Sequence, residues 1–162
     1  MIEKIISGGQ WGADLAGIKV GAELGIPTGG MAPKGFKTKF GSSPKLSNYG
    51  LIEHPTSDSY PLRTAWNVEN SDATIRFAEN FKSAGEFCTL KFIKRFNKPH
   101  YDVDLNENCD LIFDILDFLE DNNVKVLNVA GNVGRDLDHS KAIFRKTKRI
   151  LKNIIIKFNN LN

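Results

Sequence analysis

The chain has 162 residues, 41% hydrophobic and 25% charged, and its 22 basic and 19 acidic side chains leave a net charge of +3. This is the size and balance of one globular domain, residues 1–162, with enough chain to bury a core without metal or disulfide staples. The mild positive excess argues against nucleic acid as a partner, the apolar runs are too short for a membrane span, and two distant cysteines, Cys88 and Cys109, fit a reduced cytoplasmic protein.

Residues 2–6 read as a short apolar strand, broken by Gly8 and Gly9, so no signal peptide is expected. Residues 12–24 follow as a helix, closed by Gly25 and Pro27. A short extended piece covers 27–31. Residues 32–61 look irregular, with Gly41, Ser42, Ser43 and Pro44 in a row; a connection that long is a functional loop or hides short elements. Then come a short helix at 62–69, a strand at 72–77, a helix at 84–96 and a strand at 99–103. An amphipathic helix at 107–122 presents Leu111, Ile112, Ile115, Leu116 and Leu119 to one side. A strand at 125–129 and a long helix at 139–158 complete the chain, and the last residues, FNNLN, are expected to fray. Arg145, Lys146, Lys148, Arg149, Lys152 and Lys157 concentrate the positive excess on that last helix. Strands alternating with helices predict an α/β fold: a mostly parallel five-strand sheet with helices on both faces.

In such a fold ligands lie beyond the carboxyl ends of the strands. The first of those loops, SGGQWGAD, contains Ser7, Gly8, Gly9, Gln10, Trp11, Gly12 and Asp14. Glycines between a strand and a helix let the backbone approach an anion, which the helix dipole favours. The spacing is neither a Walker A loop nor the dinucleotide fingerprint, and a tight turn without ligand is the plain alternative. Asp14 suits the first turn of a helix, and Trp11 either stacks on a flat ring or packs inward. Gly9→Val is expected to block a ligand's approach without unfolding the chain.

The second loop, GGMAPKGFKTKFG, contributes Gly30 and Lys34, either as part of an anion site or as a solvated basic loop. Arg63 and Asn67 lie on the short helix before the third strand, Arg63 as a fork for phosphate or carboxylate. Gly85 and Glu86 open the next helix; a first-turn carboxylate is the simpler reading of Glu86. Gly131 and Asn132 end the last strand. His54, His100 and His139 fall in separate segments, no HExxH or GxSxG occurs, and no metal site is expected.

Together SGGQWGAD, ELGIPTGGMAPKGFK, YPLRTAWNVENSDATI and LNVAGN resemble, in order, the putative molybdenum carrier family of the SLOG group of Rossmann-like nucleotide-binding domains. The resemblance implies a Rossmann-like three-layer sandwich, a homo-oligomer (dimer or tetramer), and a phosphate-bearing ligand such as molybdenum cofactor, a pterin phosphate, or a nucleotide. Carried over, the ligand residues are Ser7, Gly8, Gly9, Gln10, Gly12 and Asp14; Gly30, Pro33, Lys34 and Gly35; Arg63, Trp66 and Asn67; and Asn128, Gly131 and Asn132. Two departures stand out. Trp11 replaces a threonine, and Ser83-Ala84-Gly85-Glu86 replaces a Thr-Gly-Gly-Thr loop, so a carboxylate stands where a hydroxyl is usual. The residues support a carrier or binding protein over an enzyme. The alternatives are a nucleotide-processing hydrolase of the phosphoribohydrolase kind, using Asp14 or Glu86, and a module that binds through the basic last helix.

Overall fold

The computed structural model describes residues 1–107 and 112–161. In chain order the elements are β1 (Lys4–Ile6), α1 (Ala13–Glu23), β2 (Thr28–Ala32), β3 (Lys37–Thr38), β4 (Gly41–Ser42), β5 (Leu51–Glu53), α2 (Tyr60–Glu69), β6 (Ala73–Ala78), α3 (Ala84–Arg95), β7 (His100–Asp104), α4 (Ile112–Asp121), β8 (Val126–Gly131) and α5 (Leu137–Leu161).

Six strands form one sheet in the order β5-β2-β1-β8-β6-β7. Every neighbouring pair is parallel. The sheet has six strands rather than the five expected from sequence. The sixth, β5, is three residues long and sits inside the segment read as irregular, where "LIE" is too short to show a period. The same segment holds the separate β3–β4 hairpin and two 3-10 turns, at Lys34–Phe36 and Pro44–Tyr49.

Helices α1 and α4 pack beside α5 on one face of the sheet, and α2 packs with α3 on the other. The main core lies under the first group. There Ile5, Ile75, Leu127 and Val129 of the sheet meet Ile143, Leu151, Ile154 and Ile155 of α5, all with no exposed surface. Burying a side chain of this size stabilises by about 1.5–3 kcal/mol, so α5 is held by its apolar stripe along most of its length. The FNNL end, expected to fray, is helical. Phe158 is buried, and the Asn159 side chain accepts a hydrogen bond from the Ile2 N–H at 2.8 Å. The first turn expected for α4, with Leu111 and Cys109, lies outside the described residues, as does Asn162. Among the described residues no helix is long and apolar enough to cross a membrane.

The sheet places its crevice at the centre. From β1 the chain leaves through α1 towards β2, whereas from β6 it leaves through α3 towards β7; β8 lies between β1 and β6. The loops therefore part above β1, β8 and β6, the switch point at which open α/β sheets bind ligands.

Candidate functional site

A cavity of about 410 Å³ opens at this switch point. Its floor is the exit of β8 at Ala130 and Gly131. Its walls are Gln10 and Asp14 at the start of α1, Tyr60, Arg63 and Thr64 of α2, and Ala84, Gly85, Glu86 and Cys88 of α3. Lys39 of the β3–β4 hairpin lies at its edge. A second cavity of about 410 Å³, towards Arg135 and His139, shares Gly85, Glu86, Gly131 and Val133 with the first, so the two meet at Glu86.

The first loop is built differently from a phosphate cradle. Its Gly9, Gln10 and Ala13 N–H groups are engaged within the chain. Asp14 Oδ2 accepts from the Gln10 N–H at 3.3 Å and from Arg63 Nη1 at 3.2 Å. The Gly9 N–H goes to Ser7 Oγ, and the Ala13 N–H to the Asn132 carbonyl. The Asp14 carboxylate thus sits beneath the loop, with the Arg63 guanidinium as its counter-ion. Burial pushes the Asp14 carboxyl up from its ordinary value, and Arg63 opposes that rise. Gly8 makes room for this pair: a Cβ there would lie 1.6 Å from Arg63 Nη1. Among the described residues Arg63 Nε is buried without a partner, while the residue lines the cavity.

Several residues singled out from sequence hold the frame and do not line the cavity. A Cβ on Gly9 would meet Leu46 and Leu51 at under 3 Å, so Gly9→Val disturbs packing beneath the loop and is not a clean block on ligand approach. Gly12 and Gly30 abut the backbone of Asn132 and Ser7. Asn67 completes the sheet edge: beyond the end of β1, its Oδ1 accepts from Met31 N–H and its Nδ2 donates to Met31 C=O, at 2.8 and 2.9 Å. Trp11 packs edge-on against Phe40, with ring centroids 6.0 Å apart. Lys34 is exposed in a 3-10 turn and does not reach the cavity.

The lysine at the cavity is Lys39. Gln10 grips the hairpin that carries it, donating to the Lys37 carbonyl at 2.9 Å and accepting from the Lys39 N–H at 3.2 Å. Lys39 Nζ then reaches the carbonyls of Gly134 and Arg135, at 2.5 and 2.8 Å. These partners are neutral, so its charge is not offset by a carboxylate there.

Glu86 and Asn132 join the loops after β6 and β8. Asn132 Oδ1 accepts from the N–H groups of Glu79 and Asn80, and its Nδ2 donates to Glu86 Oε1 at 3.3 Å. Ser83 caps α3 by accepting from the Glu86 N–H, but the Glu86 side chain does not close the reciprocal half of a capping box. It turns inward to Arg76, whose Nη1 lies 3.5 Å from Oε2. Arg76 is also held by Asp102 in a two-pronged pair at 2.8 and 2.5 Å. Gly131 permits this close junction: φ is 153° and a Cβ would lie 1.9 Å from the Phe77 carbonyl. Around Gly85, by contrast, the space is open.

Glu86 is 2% exposed. Burial pushes its carboxyl from an ordinary 4.5 to about 7; Arg76 opposes the rise, and Asp14 adds to it. A group that holds its proton more tightly when folded loses stability as pH rises, here between about 4.5 and about 7. The loss of stability from about pH 5 to about pH 8 is expected to be larger in the wild type than in Glu86→Gln, by on the order of 2 kcal/mol. Denaturant melts at the two pH values measure it, and equal losses in the two proteins would refute it.

Arg76 and Asp102 were not apparent as site residues from sequence. The available signal was a lone arginine in "ATIRFA", a strand whose every residue is buried. In sequence Lys39 is indistinguishable from its neighbours Lys34 and Lys37, because only the hairpin decides which lysine reaches the cavity. Cys88 is half-buried and lines the cavity.

The model of the circularly permutated YpsA SLOG family matches residues 5–155. The crystal structure of a putative molybdenum carrier protein from Syntrophus aciditrophicus SB is similar at 34% identity, with a TM-score of 0.82 over 95% of this chain and 95% of that one. No curated protein matches the chain. These likenesses fit a ligand-binding role.

Proposed function

Because the chain belongs to the circularly permutated YpsA SLOG family, we propose that it binds a small phosphate-bearing ligand, a nucleotide or a pterin phosphate, in the cleft above β1, β8 and β6. The similar crystal structure is of a putative molybdenum carrier protein, which makes molybdenum cofactor a candidate cargo. The observation that carries this reading is the presence at one cavity of Lys39, whose hydrogen bonds go to carbonyls, and Arg63, whose Nε has no partner among the described residues. The volume of about 410 Å³ lies in the range of small-molecule sites. The positive end of α3 also faces the cavity, but Glu86 in its first turn offsets it, so the phosphate is assigned to Lys39 and Arg63.

Native mass spectrometry of the purified protein, with metal analysis, tests this directly and reads the expected homo-oligomer in the same experiment. A bound pterin phosphate or nucleotide supports the reading. A clean apo mass, followed by no thermal shift with mononucleotides or pterin phosphates, counts against it. For any phosphate ester that binds, Lys39→Ala is expected to weaken affinity about tenfold to a hundredfold, the range for a hydrogen bond to a charged group. The loss shrinks in high salt. Calorimetry at two salt concentrations measures it, and unchanged affinity would remove Lys39 from the site.

One observation favours a second reading, hydrolysis of a bound nucleotide: the carboxyl of Glu86, pushed up to about 7 by burial, lines the cavity, and a general acid works best with a pKa near the operating pH. Release of base or phosphate from a mononucleotide, lost in Glu86→Gln, would establish it.

A further inference from the structure

Resting on the reading of the cleft as a ligand site, we propose that Glu86 selects the ring of the ligand: its carboxylate accepts from the adjacent ring N–H and exocyclic amino group of a 2-amino-oxo heterocycle, the edge that guanine and pterins share and adenine lacks. The inference starts from where the carboxylate lies. The two cavities meet at Glu86, so a ligand entering either one reaches it. Tyr60, Pro61, Ala84, Ala130 and Val133 make much of the first cavity apolar, which suits a flat ring.

The acceptor capacity of Glu86 is only partly used. An ionised carboxylate has about four acceptor sites. Asn132 Nδ2 approaches Oε1 at 3.3 Å and Arg76 Nη1 approaches Oε2 at 3.5 Å, both long contacts. A phosphate placed against this carboxylate is repelled. A cationic ligand group is not required, because Arg76 already supplies the positive charge at 3.5 Å. What remains is a pair of neutral donors side by side. Lys39 and Arg63 take the phosphate end, and Glu86 takes the ring end.

The chemistry predicts an order. Guanine offers two donors to the two carboxylate oxygens. Hypoxanthine offers the ring N–H alone. Adenine sets a ring nitrogen lone pair beside its amino group, so one contact becomes acceptor against acceptor.

The test is titration calorimetry with the 5′-monophosphates of guanosine, inosine and adenosine, whose phosphates are identical. It is run at about pH 8, above the range in which Glu86 takes up its proton. The other charged groups acting on Glu86 are Arg76 from β6, Asp102 from β7 and Asp14 from α1. The guanosine ester is expected to bind about tenfold to a hundredfold more tightly than the adenosine ester, the span of one good bidentate base contact, with inosine between. In Glu86→Gln the side chain presents one acceptor and one donor, which matches adenine, so the preference is expected to reverse. The variant keeps the Arg76–Asp102 pair, and the wild-type comparison needs no variant. Equal affinity for all three esters in the wild type, or an undiminished guanine preference in Glu86→Gln, overturns ring selection and leaves the cleft reading standing. Binding of none of the three, nor of a pterin phosphate, overturns both.

Discussion

Arg76→Ala is expected to lower stability by about 3–5 kcal/mol, the usual result of removing one partner from a buried ion pair. For a chain of this size that is a fall in Tm of roughly 10 °C. The reason lies in what remains. Arg76 and Glu86 side chains are each 3% exposed, whereas Asp102 is 38% exposed and can turn to water. Alanine therefore strands the Glu86 carboxylate inside the protein, and its carboxyl is driven further up. The Glu86 backbone carbonyl also loses the Arg76 Nη1 donor at 3.1 Å. The double variant Arg76→Met with Glu86→Leu is expected to recover most of the loss, because no charge is left buried. Thermal melts of the single and double variants measure this. A single variant within about 1 kcal/mol of wild type would show that the pair is not buried as described.

Arg63→Ala is expected to act on both stability and binding. Arg63 shields Asp14, whose side chain is 3% exposed, and Arg63 itself is 14% exposed. Its loss is expected to cost about 2–4 kcal/mol, less than at Arg76 because solvent reaches part of the guanidinium. Affinity for a phosphate ester is expected to fall at least about tenfold, since the cavity loses one of its two assigned phosphate partners. Pairing the change with Asp14→Asn separates the effects. Neutralising the stranded carboxylate is expected to restore most of the stability and none of the affinity. Affinity that returns with stability would mean that Arg63 serves only the fold.

The two pairs, Asp14 with Arg63 and Glu86 with Arg76, show how one architecture accommodates acids beside a proposed anion site. Each carboxylate faces a cavity and is backed by an arginine from another element: α2 for Asp14 and β6 for Glu86. Burial raises both carboxyls, and each arginine limits the rise. The Glu86 carboxylate of the Ser83-Ala84-Gly85-Glu86 loop is therefore accommodated by Arg76 and Asn132.

The sequence by itself determined the layer order. Apolar runs bounded by glycine and proline separate the strands from the helices, and that alternation leaves a parallel sheet covered on both faces as the arrangement that buries both. It also located the switch-point loops, because chain order dictates which loops leave the carboxyl ends of the strands. The tertiary structure alone decided what those loops do. A local pattern shows that SGGQWGAD bends backbone into a turn, but not that the Asp14 carboxylate pairs beneath it with a guanidinium 49 residues away. Nor does it show that Lys39, rather than Lys34, reaches the cavity. That depends on Gln10 gripping a hairpin of two-residue strands, whose pairing carries no periodic signal. Likewise, Asn67 resembles a ligand residue in sequence and serves as a substitute for strand backbone in space. Polar side chains are assigned their work by partners distant in the chain, whereas apolar periodicity is written locally. That is why the fold was legible in the sequence and the wiring of its candidate site was not.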